Sequence, residues 1–169
     1  MSRIGSTQGF TIVEMMVTVT LVAIVAGIAV PNFAQFIRNS QLQAKAEELK
    51  SFLLLARNEA ISNRAQVRLV FSANTPWEIQ RPGKSNEVIH TLEFNSAKAN
   101  LVAMNANDAT ISELLYRPSG IVSAAARLTV CNDNTAETGY LITIASNGSI
   151  HLHPKGKEED NITALADCD

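Results

Sequence analysis

Cysteine is scarce in this chain of 169 residues: Cys131 and Cys168 are the whole supply. Two are too few for a disulfide-dense scaffold, and this pair lacks the close spacing of a zinc site. Net charge is nearly absent as well, with 14 Lys and Arg against 16 Asp and Glu and a formal balance of -2. Such a balance gives no global pull toward nucleic acid or an anionic membrane surface. No serine sits in a nucleophile elbow, and no glycine-rich loop resembles a phosphate cradle. Internal repeats, low-complexity linkers and a second domain are also missing. An enzyme is therefore not expected, nor a cofactor.

One local scarcity says more. From Phe10 to Ile37 the only ionisable side chain is Glu14, in a run reading "FTIVEMMVTVTLVAIVAGIAVPNFAQFI". Those 28 residues make a helix of about 42 Å at about 1.5 Å each. The hydrocarbon core needs only about 20 residues, so the segment can span a bilayer and project beyond it. Pro31 and Gly27 lie inside it; the proline removes a backbone hydrogen bond and is a candidate kink. The preceding nine residues, MSRIGSTQG, hold one basic residue, Arg3. A secretory signal would have a basic start, a shorter apolar core and a small-residue cleavage site after it. Any cleavage here must fall before the apolar run, and Gly9 is the obvious place. Glu14 is costly, since a charge near a helix centre in lipid is unfavourable by roughly 2.5 to 3.5 kcal/mol. Either it snorkels to water or it has a partner. A cut after Gly9 would create a counter-charge, the new α-amino group of Phe10.

Gly9-Phe10-Thr11-Ile12-Val13-Glu14, the long apolar helix and Pro31 together resemble the class III leader of type IV pilins and pseudopilins. The resemblance implies cleavage between Gly9 and Phe10 by a prepilin peptidase and N-methylation of Phe10. It also implies that Glu14 is an assembly contact, pairing with the N-terminal amine of an adjacent subunit. Residues 1–9 would be the leader, 10–37 the transmembrane and assembly half of one helix, and 38–169 a periplasmic globular domain.

After Ile37 the residues Leu42, Ala46, Leu49, Leu53, Ala56 and Ala60 recur at spacings of three and four, widened by Phe52, and Glu47, Ser51 and Asn58 fall opposite. That stripe predicts one helix from near Phe10 to near Asn63, its second half pressed on a sheet. Leu54, Leu55 and Ile61 lie off the stripe. They are either ordinary exposed apolar residues or contacts to neighbouring subunits. The remainder reads as strands: "QVRLVF", two runs around Pro82-Gly83, "ANLVAM", "SELLYRPSGIV", "RLTVC" and "GYLITIASNGSIHLH". In the last, two β-rich runs flank Asn147-Gly148, a strong short-hairpin signal.

"YRPSGIV", "RLTVC" and "YLITIASNGSI" resemble the terminal sheet of the GspH/FimT/FimU group of minor pilins and pseudopilins. The fold class expected is α+β, a long N-terminal helix packed on antiparallel sheet. Cys131 and Cys168 would form one structural disulfide in an oxidising compartment, with two unrelated buried thiols as the alternative; a C-terminal disulfide in some members of the group fits the first. His151 and His153, on the same side of a strand, are expected on a solvent face with no third ligand, so no metal site is assigned. The run Glu158-Glu159-Asp160 beside Lys155 and Lys157 reads as a solvated loop. Loss of Arg3 with the leader would leave 13 basic against 16 acidic residues, which argues against nucleic acid. The resemblance implies a minor pilin at the tip of a type IV pilus that primes assembly. Its partners would be other minor pilins, the major pilin, the prepilin peptidase, an inner-membrane assembly platform and inner-membrane lipid. A type II secretion pseudopilin is the alternative, and a DNA-capturing tip pilin a further one.

Overall fold

A computed structural model describes residues 9–72, 76–83, 86–94, 99–132 and 135–168. The leader residues 1–8, Arg3 among them, lie outside it. Helix α1 runs Ile12–Ser62, within a residue or two of the expected limits. The chain divides into two units, Met1–Arg38 and Asn39–Asp169.

In the second unit, α1 buries Leu42, Ala46, Leu49, Phe52, Leu53, Ala56 and Ala60. This is the stripe read from the spacing. Its three alanines are wholly buried, and so small a side chain lets a helix backbone approach a sheet closely. The C-terminus of α1 closes with two capping bonds: Ala65 N–H donates to Ala60 O at 3.2 Å and Arg64 N–H to Ile61 O at 3.3 Å. That pairing is the Schellman pattern, which wants a glycine at the left-handed position. Here Arg64 holds it, at φ 48°. A left-handed non-glycine residue costs roughly 1–2 kcal/mol, so Arg64→Gly is expected to raise unfolding stability by about 1 kcal/mol. Denaturant titration of the two chains checks this.

The strands are β1 (Val67–Val70), β2 (Trp77–Arg81), β3 (Glu87–Leu92), β4 (Asn100–Asn105), β5 (Glu113–Tyr116), β6 (Ala126–Cys131), β7 (Tyr140–Ile144) and β8 (Ile150–Leu152). They form two four-stranded antiparallel sheets, β3-β2-β1-β5 and β4-β6-β7-β8. One apolar cluster draws on α1 and both sheets, with Val67, Leu69, Ile79 and Leu114 from the first and Leu128, Val130, Ile142 and Ile144 from the second. The aromatic end of that core is Trp77, whose ring lies 4.7 Å from Phe71 and 6.0 Å from Phe94, with its Nε1–H donating to Ser72 O at 3.0 Å.

β6 and β7 are buried on both faces. Leu128 and Val130 face the α1 side, while Thr129 and Cys131 face away and are also buried. The near-continuous apolar runs "RLTVC" and "YLITI" suit strands covered on both sides. The second cover is the chain's own tail. Thr129 Oγ1 donates to Cys168 O at 3.3 Å, Leu165 N–H donates to Gly156 O at 3.0 Å, and Leu165 and Cys168 are buried.

Asn147-Gly148 does not form a two-residue loop. Ile144 pairs with Ile150, Gly148 N–H donates to Ala145 O at 2.7 Å, and Ala145 N–H donates to Ser149 O at 3.0 Å. The connection is the longer turn with a left-handed glycine, Gly148 at φ 79°.

The Cys131–Cys168 disulfide is present, with Cα atoms 6.0 Å apart and a sequence separation of 37. It fastens the tail to central strand β6. Gly139 makes room for it, since a Cβ there would lie 2.6 Å from Cys131 Sγ. Cross-linking a loop of that length stabilises by about 4 kcal/mol on the chain-entropy account. The paired substitutions Cys131→Ser and Cys168→Ser are therefore expected to lower unfolding stability by about 3–4 kcal/mol, measured by chemical denaturation.

Candidate functional site

In the first unit, Gly9, Phe10 and Thr11 precede the helix and Ile12 begins it. Thr11 caps the end. Its side-chain Oγ1 accepts the Glu14 N–H at 3.2 Å and its carbonyl accepts the Met15 N–H at 3.2 Å. Thr11-x-x-Glu14 is thus the spacing of a capping box. Thr11 belongs to the quoted leader motif, but its capping role goes unread in the sequence, although the Thr-x-x-Glu signal is present. A carboxylate in the first turn also meets the positive end of the helix dipole.

All of residues 9–38 are exposed, and the apolar ones occupy every side of α1. Phe10, Val13, Met16, Val17, Leu21, Ile24, Ile28, Phe33 and Phe36 each show more than half of their surface. A helix apolar all round needs an apolar surrounding. By length and composition this helix can cross a membrane. Its hydroxyls are satisfied within the helix, Thr18 Oγ1 donating to Met15 O at 2.9 Å and Thr20 Oγ1 to Met16 O at 2.7 Å. Among the described residues the Glu14 carboxylate meets no cation. It is the one ionisable side chain between Phe10 and Ile37.

Pro31 lies inside α1, and the helix continues on both sides of it. The backbone bond it omits is the one to the Gly27 carbonyl.

In the second unit one expectation is corrected and another refined. His151 is exposed, but β8 ends at Leu152 and His153 turns inward. It lies 2.9 Å from Thr143 Oγ1 and 2.9 Å from Asn161 Oδ1, so the two histidines do not share a solvent face. The acidic run is exposed at Glu159 and Asp160, as a solvated loop is, but it is pinned by specific contacts. Glu158 pairs with Arg127 at 2.6 Å and accepts Ala166 N–H at 3.1 Å. Arg127 also meets Asp108 at 3.2 Å and Glu159 at 3.6 Å. The Asp160 carboxylate accepts from the Thr163 hydroxyl and from the Ile162 and Thr163 N–H groups. The Thr163 hydroxyl foremost, then those amides, hold its carboxyl below the usual range. Leu54, Leu55 and Ile61 are exposed as expected.

An unpartnered carboxylate at the capped start of an all-round apolar helix, ahead of an antiparallel sheet domain with a C-terminal disulfide, defines a type IV pilin-like subunit. Comparison with known proteins is more specific. Residues 45–148 match the family described as Type II transport protein GspH, and the chain belongs to that family. Residues 5–30 match the prokaryotic N-terminal methylation motif, which implies prepilin peptidase processing. A fimbrial protein of Pseudomonas aeruginosa is 25% identical over 138 residues, 80% of this chain and 86% of its own length. The crystal structure of the Pseudomonas aeruginosa type IV minor pilin FimU shares the fold, with TM-score 0.59 and 22% identity over 79% of this chain and 99% of that one. So does the minor pseudopilin EpsH of the Vibrio cholerae type 2 secretion system, with TM-score 0.53 and 14% identity over 70% and 99%. The chain is therefore a structural subunit of the minor pilin and pseudopilin kind. Its apolar helix and methylation motif suit membrane anchoring and assembly with other pilin subunits.

Proposed function

We propose that this chain is a minor pilin that primes assembly of a type IV pilus and sits at the filament tip. Residues 1–9 are the leader, cut between Gly9 and Phe10, and Phe10 is then methylated. Residues 10–37 anchor the subunit in the inner membrane, Pro31 marks where that segment bends, and residues 38–169 form the periplasmic domain. Glu14 pairs with the N-terminal amine of a neighbouring subunit as the helix leaves the lipid. The observation that carries this reading is the lone carboxylate, without a cation among the described residues, in the otherwise uncharged stretch from Phe10 to Ile37. The similar Pseudomonas aeruginosa protein is a fimbrial protein, which supports the pilus side. Its partners are other minor pilins, the major pilin, the prepilin peptidase and the inner-membrane assembly platform.

Deleting the chain tests this. Surface filaments are expected to fall sharply and to return on complementation, with protein secretion unchanged. A type II secretion pseudopilin is the second reading, supported by the description of the matched family and by the fold shared with EpsH. It requires the reverse outcome: secretion lost and filaments retained.

A further inference from the structure

The triplet Asn-x-Ser/Thr occurs twice in the chain, as Asn147-Gly148-Ser149 and as Asn161-Ile162-Thr163. It is the acceptor pattern for attachment of a glycan to asparagine, and it requires a surface loop on the secreted side of a membrane. The pattern is short, so local structure decides which copy is usable.

The copy at Asn147 is closed. Gly148 is buried and Ser149 half-buried. Ser149 N–H donates to Asn147 Oδ1 at 2.9 Å, and Arg57 holds the Asn147 carbonyl at 3.4 Å. The copy at Asn161 is open. Every residue from Glu159 to Ala164 is exposed, Ile162 by 78%. This turn is held by its own contacts: Lys157 Nζ donates to Ile162 O at 2.7 Å, and Asp160 accepts the Ile162 and Thr163 N–H groups. Asn161 lies inside it at φ 60°, a left-handed conformation that asparagine tolerates. Its Oδ1 is 2.9 Å from Nδ1 of the buried His153. A carbonyl oxygen only accepts, so the ring N–H donates to it. Among the described residues Asn161 Nδ2 meets no partner. A sugar bonded to Nδ2 would leave Oδ1 on His153 and remove nothing that holds the turn.

We propose that Asn161 is a glycosylation site, carrying an N-linked glycan transferred from a lipid-linked sugar diphosphate. Asn161 Nδ2 bonds to the anomeric carbon of the sugar as the carbon–oxygen bond to the diphosphate breaks. The diphosphate leaves with the electron pair, and one amide proton passes to solvent. In the folded turn Asp160 engages the Thr163 hydroxyl. That hydroxyl is free for a transferase only before the turn closes, so transfer precedes docking of the tail. Once attached, the sugar shields Ile162, the most exposed large apolar side chain among the described residues of the globular unit. The site requires the periplasmic placement of residues 38–169 proposed above, which the Cys131–Cys168 disulfide suits. It does not depend on the choice between pilus and secretion system.

The test uses full-length chain from the envelope of its own cells, reduced, alkylated, cut after lysine and weighed by mass spectrometry. The peptide 158–169 is expected to be heavier by at least one sugar, with fragmentation placing the added mass on Asn161. Asn161→Gln and Thr163→Val should abolish the shift, whereas Thr163→Ser keeps the hydroxyl and should retain it. Asp160→Ala breaks the turn but spares the triplet, and it should retain the shift as well, which separates the acceptor from the fold. An unshifted wild-type peptide overturns the proposal. So does a shift that survives Thr163→Val, or one lost in Asp160→Ala as fully as in Thr163→Val. A parallel digest without reduction reads the disulfide. An unmodified Asn161 with that bond intact sinks the site and leaves the periplasmic placement standing; free thiols sink both.

Discussion

Glu14→Gln is expected to leave membrane insertion and removal of residues 1–9 intact while incorporation into filaments falls about a hundredfold. In the bilayer the carboxylate is unfavourable by roughly 2.5 to 3.5 kcal/mol, and pairing with a neighbour's amine on assembly relieves that cost. Removing the charge stabilises the waiting subunit and removes the pairing, and about 3 kcal/mol corresponds to about a hundredfold in an equilibrium. Glutamine is the informative substitution because it can still serve at the third helical position of a capping box. Glu14→Ala loses the charge and the capping partner together and should be no better. Thr11→Ala removes only the acceptor for the Glu14 N–H, a loss of about 1 kcal/mol of helix-end stability. It should therefore reduce incorporation far less. Quantifying each variant in sheared filaments against the envelope separates charge from capping. Wild-type incorporation of Glu14→Gln would falsify the pairing role.

Gly148→Ala is expected to destabilise the globular unit by about 3 kcal/mol or more, lowering its thermal midpoint by about 10 °C. Two penalties coincide at this residue. Its φ of 79° lies in the left-handed region, which costs a residue with a Cβ roughly 1–2 kcal/mol. That Cβ would also collide with Gly120 O and lie 3.3 Å from Arg57 Nε. Backbone oxygen cannot retreat as a flexible side chain can, and Arg57 ties both loops to α1 through Gly120 O and Asn147 O. Scanning calorimetry of the full-length chain in detergent is the readout, and an unchanged midpoint would refute this account of the turn.

What could be read from the sequence was local and periodic. The stripe from Leu42 to Ala60 appears as written because helical spacing puts those residues on one face. The strand runs and the Asn147-Gly148 turn were likewise visible in neighbouring residues. Distribution of the strands over two sheets was not, because pairings such as β1 with β5 join segments more than forty residues apart. The Arg127 cluster stayed hidden for the same reason: its carboxylates come from positions 108, 158 and 159. His153 looked solvent-facing because alternation was extended one residue past the end of β8, where the chain turns in under Thr143. At the assembly segment, Glu14 stood out as a lone charge in an apolar run. Thr11 did not, because a hydroxyl that caps a helix leaves no mark on hydropathy.

The most direct measurement is the N-terminal mass of the chain recovered from sheared surface filaments. The account predicts a chain beginning at methylated Phe10. A chain still carrying Met1 to Gly9, in cells whose prepilin peptidase is active, would contradict it.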